Sequence, residues 1–249
     1  MKNDEFGDRM KGYEAAFTDQ KVNADSILCV RIDGKKFSKF TKGFAKPFDA
    51  SLTKAMVDTT KQLVKDTGAN AGYTQSDEIT LIYTLGEKSK EYIFGGKTSK
   101  INSVFASMAT ANFNHLIQKY APVTVAGKGH AYFDCRSWAV PSLVEASNVL
   151  LWRVQDSRKN SISSLFRWTA GAKKMMYKDQ KQMKEYLVSE YGMDWNHLAN
   201  QAKYGTYIKP VPYELDTEIG KVARSKIEIV DLGYYGDLSL EERIKFIEK

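Results

Sequence analysis

Apolar and polar positions alternate with two different periods along this chain. Residues 26–34 form an apolar run closed by Asp33-Gly34, the pattern of a buried strand that ends in a turn. From Pro47 to about Lys65 the period lengthens. Leu52, Ala55, Met56, Thr59 and Leu63 recur on one helical face, and Pro47 suits the first helical turn. Residues 72–75 predict a short strand, Ser76-Asp77 a turn, and residues 79–85 an alternating strand. A Gly95-Gly96-Lys97 loop precedes a long amphipathic helix whose inner face carries Ile101, Val104, Phe105, Met108, Ala109, Phe113 and Leu116. Residues 129–136 predict a fourth strand. The order strand, helix, strand, strand, helix, strand is the split βαβ, ferredoxin-like arrangement, an antiparallel sheet with helices in the α/β (α+β) class.

Beyond Pro141 the pattern turns mostly helical. Helices are predicted over 144–154, 161–172 and 178–191, with one further strand at 204–208. Arg153, Gln155, Asp156, Arg158, Lys159 and Asn160 fall between the first two helices, as a solvated junction or as a contact for phosphate. No low-complexity linker and no internal repeat interrupts the chain. It reads as one unit with two subregions, 1–140 and a mostly helical 141–249 packed on it.

Composition then narrows the class. At 249 residues, 43% hydrophobic and 27% charged, the chain can bury a core and is no disordered segment. No apolar run reaches membrane-spanning length, and Met1-Lys2-Asn3-Asp4-Glu5 lacks the apolar stretch of a signal peptide, so a cytoplasmic protein without a membrane partner is expected. Cys29 and Cys135 cannot form a disulfide framework and read as buried thiols. His115, His130 and His197 lack zinc-ligand spacing. Lys and Arg number 37 against 30 Asp and Glu, and the resulting +7 points toward an anionic partner.

Candidate chemistry follows from the strand order. Neighbouring antiparallel first and third strands bring Asp33 beside Asp77 and Glu78 at one sheet edge, 44 residues apart in sequence. Two converging carboxylates there make a hard-oxygen site suited to Mg²⁺, and Gly34 lets its carbonyl approach a metal closely. Taken singly, Asp-Gly and Ser-Asp-Glu are also ordinary turn sequences. Lys35, Lys36, Lys39, Lys42 and Lys46 interleave with Phe37, Phe40, Phe44 and Phe48; the lysines suit phosphate, while the rings suit either a stacked base or the core. Gly96-Lys97-Thr98 is not a P-loop, because position 91 is Glu. Lys97, Ser99 and Lys100 still sit where a helix N-terminus could receive phosphate or simply be capped. Gly127-Lys128-Gly129 is no dinucleotide fingerprint.

Several segments together resemble the tRNA-His guanylyltransferase family. They are Gly7-Asp8-Arg9-Met10-Lys11, Arg31-Ile32-Asp33-Gly34, Phe44-Ala45-Lys46-Pro47 with Asp49, Gln75-Ser76-Asp77-Glu78, Phe133-Asp134-Cys135-Arg136, Trp152-Arg153-Val154-Gln155-Asp156 and Tyr204-Gly205-Thr206. The resemblance implies a polymerase-type palm that adds nucleotides in the 3′–5′ direction to a tRNA 5′ end activated by ATP or GTP. It implies two Mg²⁺ on Asp33 and Asp77 with the Gly34 carbonyl, Glu78 at the acidic position that follows, and Lys35, Lys46, Asp49, Ser76, Lys97 and Lys100 around nucleotide or triphosphate. RNA would be met by Arg136, Arg153, Arg158, Lys159 and Asn160, and the assembly would be a homo-oligomer, a tetramer as in the family. Arg158-Lys159-Asn160-Ser161-Ile162-Ser163 stands where eukaryotic members carry a His-Ile-Asn-Asn-Leu-Tyr-type stretch, and Cys135 stands where the family usually has Gly. The first departure is similar to the bacterial and archaeal guanylyltransferase-like proteins that repair truncated 5′ ends against a template. Two other chemistries fit a ferredoxin-like sheet: a palm-type nucleotide cyclase or oligonucleotide synthase, and a non-catalytic RNA-binding module.

Overall fold

The computed structural model describes residues 5–86, 90–121, 129–217 and 220–248. Met1–Asp4 and the Gly127-Lys128 pair lie outside them. After helix α1 (Glu5–Thr18) come strand β1 (Ile27–Gly34), a single helical turn α2 (Phe37–Phe40) and helix α3 (Ala50–Thr67). The hairpin β2 (Ala71–Gln75) and β3 (Glu78–Tyr83) leads to helix α4 (Thr98–Tyr120) and strand β4 (Phe133–Val140). The remainder contains helices α5 (Leu143–Ala170), α6 (Ala172–Met175), α7 (Gln180–Tyr191) and α8 (Asn200–Tyr204), a hairpin β5 (Thr206–Thr217) and β6 (Gly220–Val230), and helix α9 (Leu240–Ile247).

The six strands form one sheet in the order β4-β1-β3-β2-β5-β6, every neighbouring pair antiparallel. β1 therefore lies between β4 and β3, as the split βαβ order requires. The period of two sorts its side chains. Leu28, Val30 and Ile32 enter the core under α3 and α4, whereas Cys29 faces the second core, built with Ala146, Leu150 and Val154 of α5. Arg31 and Asp33 share the face of Cys29, so α5 covers the side of the sheet that bears the charged residues. Burial pushes the Cys29 thiol up to about 12, in keeping with an inert packed thiol.

Three local readings change. Helix α3 begins at Ala50 and leaves Pro47 in the preceding loop, because Asp49 is the N-cap: its carboxylate accepts from the Leu52 N–H at 3.0 Å and the Ala45 N–H at 2.9 Å. The helices predicted over 144–154 and 161–172 are one continuous helix of 28 residues. No Gly or Pro interrupts α5, and small Ser157 and Ser161 continue its buried stripe through the polar cluster. The strand predicted at 204–208 is the root of a long hairpin that widens the sheet beyond residue 140. Pro210 and Pro212 hide its strand character, and its outer half is largely exposed.

Candidate active site

The site grows from the end of β1 and the tight turn between β2 and β3. Gln75 pairs with Glu78, which leaves Ser76 and Asp77 as a two-residue turn; Ser76 takes φ 51°, the left-handed conformation such a turn needs at its first position. The Gly34 N–H donates to the Asp77 carbonyl at 3.1 Å and ties the turn to β1. A side chain at Gly34 has no room, since its Cβ would lie 2.9 Å from the Asp77 Cβ and collide with the Phe37 ring. In register, Asp33 stands between Glu78 on β3 and Asp134 on β4. Four carboxylates thus gather at one sheet edge.

These carboxylates differ in their partners. Glu78 is buried and forms a bidentate pair with Arg153 of α5, at 2.6 Å to Nε and 2.7 Å to Nη2. Arg153 Nη2 also donates to Asp156 at 3.1 Å. Burial opposes the Arg153 charge, but Glu78 outweighs it and raises its pKa. Asp33 and Asp77 have no such cation. Burial lifts the Asp33 carboxyl above its usual range, and the Asp134 charge adds to this. Burial also lifts Asp77; the Ser76 hydroxyl, which donates at 2.9 Å, opposes the rise and the Asp33 charge reinforces it. Two partly desolvated carboxylates that repel one another fit a bound cation. Among the described residues no three His, Cys, Asp or Glu side chains are placed to enclose a metal. The Asp33 and Asp77 pair is a donor set that suits Mg²⁺, which takes one or two carboxylates and completes its octahedron with phosphate oxygens and water.

A cleft of about 1020 Å³ opens from this edge along α5. Asp33, Asp49, Ser76, Asp77, Glu78, Arg153 and Asn160, all candidates from the sequence, line it. Asp49 shapes the loop before α3, since both its oxygens accept backbone N–H groups. Lys46 donates to Thr41 Oγ1 at 3.3 Å and lies 5.8 Å from the ring centre of Trp168, which lines the cleft. Lys35 is exposed on the turn after β1. Of the four phenylalanines in this stretch, Phe37 and Phe44 are core, Phe40 packs against them, and Phe48 lines the cleft.

Other expectations meet a different geometry. Lys97 and Lys100 are not brought to the cleft within this chain. β3 runs antiparallel to β1, so its exit lies at the beginning of β1, where Gly96 accepts from the Val22 N–H and Thr98 donates to Gln20. Asp33 stands six residues along β1 from that end, about 20 Å. Lys97 instead pairs with Asp19 at 3.0 Å, and Lys100 lies over Phe94 at 5.2 Å. Arg153, expected to meet RNA, is buried and held by Glu78, so it positions the carboxylate edge. Arg158 lies 5.2 Å from the Tyr234 ring, on the side of α5 toward the C-terminal segment. Lys159 is exposed, and Arg136 is exposed and paired with Asp134 at 3.2 Å.

Ser164, Arg167 and Trp168 also line the cleft, and sequence reading did not single them out as site residues. Their signal was the spacing 153, 156, 160, 164, 167, a polar stripe at helical period. Dividing α5 into two helices concealed it.

An antiparallel sheet carrying two aspartates without an ion-pair partner among the described residues, at the mouth of a nucleotide-sized cleft, is the framework of a palm-type nucleotidyltransferase. The tRNAHis guanylyltransferase family profile matches residues 7–141. An uncharacterized protein of Acanthamoeba polyphaga mimivirus is 33% identical over 96% of this chain and 89% of its own length. The tRNA(His) guanylyltransferase of Saccharomyces cerevisiae is 29% identical over 84% of this chain and 91% of its own. A bacterial tRNA(His) guanylyltransferase-like protein in complex with ATP superposes with a TM-score of 0.84 at 34% identity, covering 98% of this chain and 99% of that one. The same kind of protein in complex with GTP gives 0.77 at 33% identity, with equal coverage. The chain belongs to the tRNAHis guanylyltransferase family and is a nucleotidyltransferase acting on tRNA. Among the described residues no helix is long and apolar enough to cross a membrane.

Proposed function

We propose that this enzyme adds nucleotides in the 3′–5′ direction to the 5′ end of a tRNA, activating that end with ATP or GTP and repairing truncated ends against a template. The observation that carries the reading is the convergence of Asp33 and Asp77 at the mouth of the cleft. Asp33, Asp77 and the Gly34 carbonyl would hold two Mg²⁺, which supply charge neutralisation for the triphosphate and activation of the attacking hydroxyl. The rest is the work of the chain. Ser76 and Asn160 border the volume a triphosphate and its nucleoside would fill, and Lys46 stands beside Trp168 of its wall. Glu78 and Arg153 hold the β2–β3 turn against α5, which keeps Asp77 from drifting away from Asp33. Catalysis of this kind depends chiefly on position and electrostatics, both of which the buried pair maintains.

The same reading places the enzyme in the cytoplasm as a homo-oligomer, a tetramer by resemblance. Helix α1 supports it: Phe6, Met10, Tyr13 and Phe17 are all exposed, an apolar set that a second copy would cover. The test supplies purified protein with 5′-truncated, 5′-monophosphorylated tRNAs, ATP, all nucleoside triphosphates and Mg²⁺. Extension at the 5′ end is expected, with the added base following the opposing nucleotide, and Asp33→Ala is expected to abolish it. No extension on any tRNA overturns the reading. Cyclic or linear oligonucleotides formed from triphosphates alone would establish the cyclase or synthase chemistry instead.

A further inference from the structure

Two substrates have to meet at the carboxylate edge, and the cleft accounts for one. On the β4 side of Arg153, outside the cleft lining, stands a second group of side chains. Trp152 is half exposed, although its neighbours Arg153 and Val154 on α5 are buried. The Arg153 guanidinium lies 4.4 Å from its ring centre and the Arg31 guanidinium 5.5 Å. Arg31 precedes Asp33 by two residues on the same face of β1, so its row lies about 7 Å from the carboxylate row. Directly opposite Arg31 on β4 is Arg136, more than half exposed. Arg31 makes no ion pair among the described residues, and the exposed Arg136–Asp134 pair is weak enough to yield to a phosphate.

We propose that Trp152 is a stacking platform for the terminal base at the RNA 5′ end, with Arg31 and Arg136 holding the phosphates of that strand. The proposal rests on the RNA reading above and adds the surface that seats the RNA. An indole offers a π-face to any base, which suits an enzyme that must accept ends of differing sequence. Guanidinium groups beside the ring meet the strand's phosphates without reading the base. One pleat of the sheet then separates the seated end from Asp33. A nucleoside triphosphate in the cleft and an RNA strand on this shelf approach the same carboxylates from opposite sides of Arg153.

The test compares wild type, Trp152→Ala, Trp152→Phe and Arg136→Ala in two assays. The first measures extension kinetics with truncated tRNA. Trp152→Ala is expected to raise the KM for RNA at least about tenfold while the KM for ATP stays within about twofold, and Trp152→Phe to recover most of the loss. The second measures binding of a 5′-phosphorylated RNA hairpin by fluorescence polarisation, without nucleotide or turnover. Trp152→Ala is expected to weaken it by a similar factor, and Arg136→Ala to weaken it and flatten its salt dependence by about one unit of slope. Unchanged hairpin affinity in Trp152→Ala overturns the proposal, as does a rise in the KM for ATP alone, which would assign the ring to the triphosphate's base. Loss of melting temperature in Trp152→Ala without loss in Trp152→Phe, combined with equal RNA affinities, makes the ring structural and also overturns it. A wild-type protein that binds the hairpin through Trp152 yet extends no RNA defeats the catalytic reading and leaves the platform standing.

Discussion

Two ion pairs, one at each end of β1, show how differently the same chemical types behave. Arg153 and Glu78 meet at the carboxylate end with side chains 7% and 9% exposed. Lys97 and Asp19 meet at the other end with side chains 43% and 53% exposed. Both contain a basic residue that sequence placed around substrate. The buried pair is bidentate and fixes the geometry of a turn; the exposed pair is a single contact in water. A basic residue next to a motif therefore says little until the strand direction tells which end of the sheet it occupies.

Five measurements bear on this contrast. The largest effect falls on activity: Asp33→Ala and Asp77→Ala each reduce 5′-end extension by about a thousandfold or more, measured under single-turnover conditions. Melting temperature does not fall in Asp33→Asn, because the substitution removes a partly desolvated carboxylate repelled by Asp134. A variant that keeps a tenth of the activity would remove Asp33 from the site. Next comes Arg153→Ala, which strands the buried Glu78 charge and costs about 3–5 kcal/mol in urea unfolding. A cost near that of a surface pair would erase the difference between the two ends. Lys97→Ala marks the opposite pole, a stability loss under about 1 kcal/mol that shrinks in high salt.

The smallest effect is a pH dependence away from both ends. Burial raises the Asp58 pKa, but the Tyr120 hydroxyl at 2.7 Å and Lys54 together lower it below the usual aspartate value. Its contribution is thus present above the unfolded aspartate pKa and is lost as pH falls through the depressed folded value. Wild type and Asp58→Asn should differ in melting temperature at pH 7 and converge in strong acid. Convergence at neutral pH would show that the carboxylate contributes nothing.

Periodicity made most of the palm legible. The alternation in β1, the helical stripe of α3 and the short β2–β3 hairpin all follow from side chains that meet one core. The juxtaposition of Asp33 and Asp77 is legible for the same reason, since antiparallel register carries residue positions across strands. Reading failed where tertiary context replaced local pattern. Polar Arg153 and Ser157 occupy buried positions on α5, so the hydrophobic count dropped and one helix looked like two. Pro210 and Pro212 masked a strand that a partner strand holds in place. Lys97 and Lys100 carried the right charge for phosphate, but only the path of β3 determines which end of the sheet they reach.

Helix α5 acts as a tie beam about 42 Å long. Its early part anchors Glu78 through Arg153, and its later part carries Trp168 at the far wall of the cleft and packs on α7. A chain cut at residue 140 would keep both aspartates and still lose the beam, leaving Glu78 without its Arg153 partner beside Asp33 and β2 with a bare edge. The carboxylate edge is therefore not a portable module: a hybrid enzyme that exchanges the first 140 residues with a relative has to bring the matching α5 along.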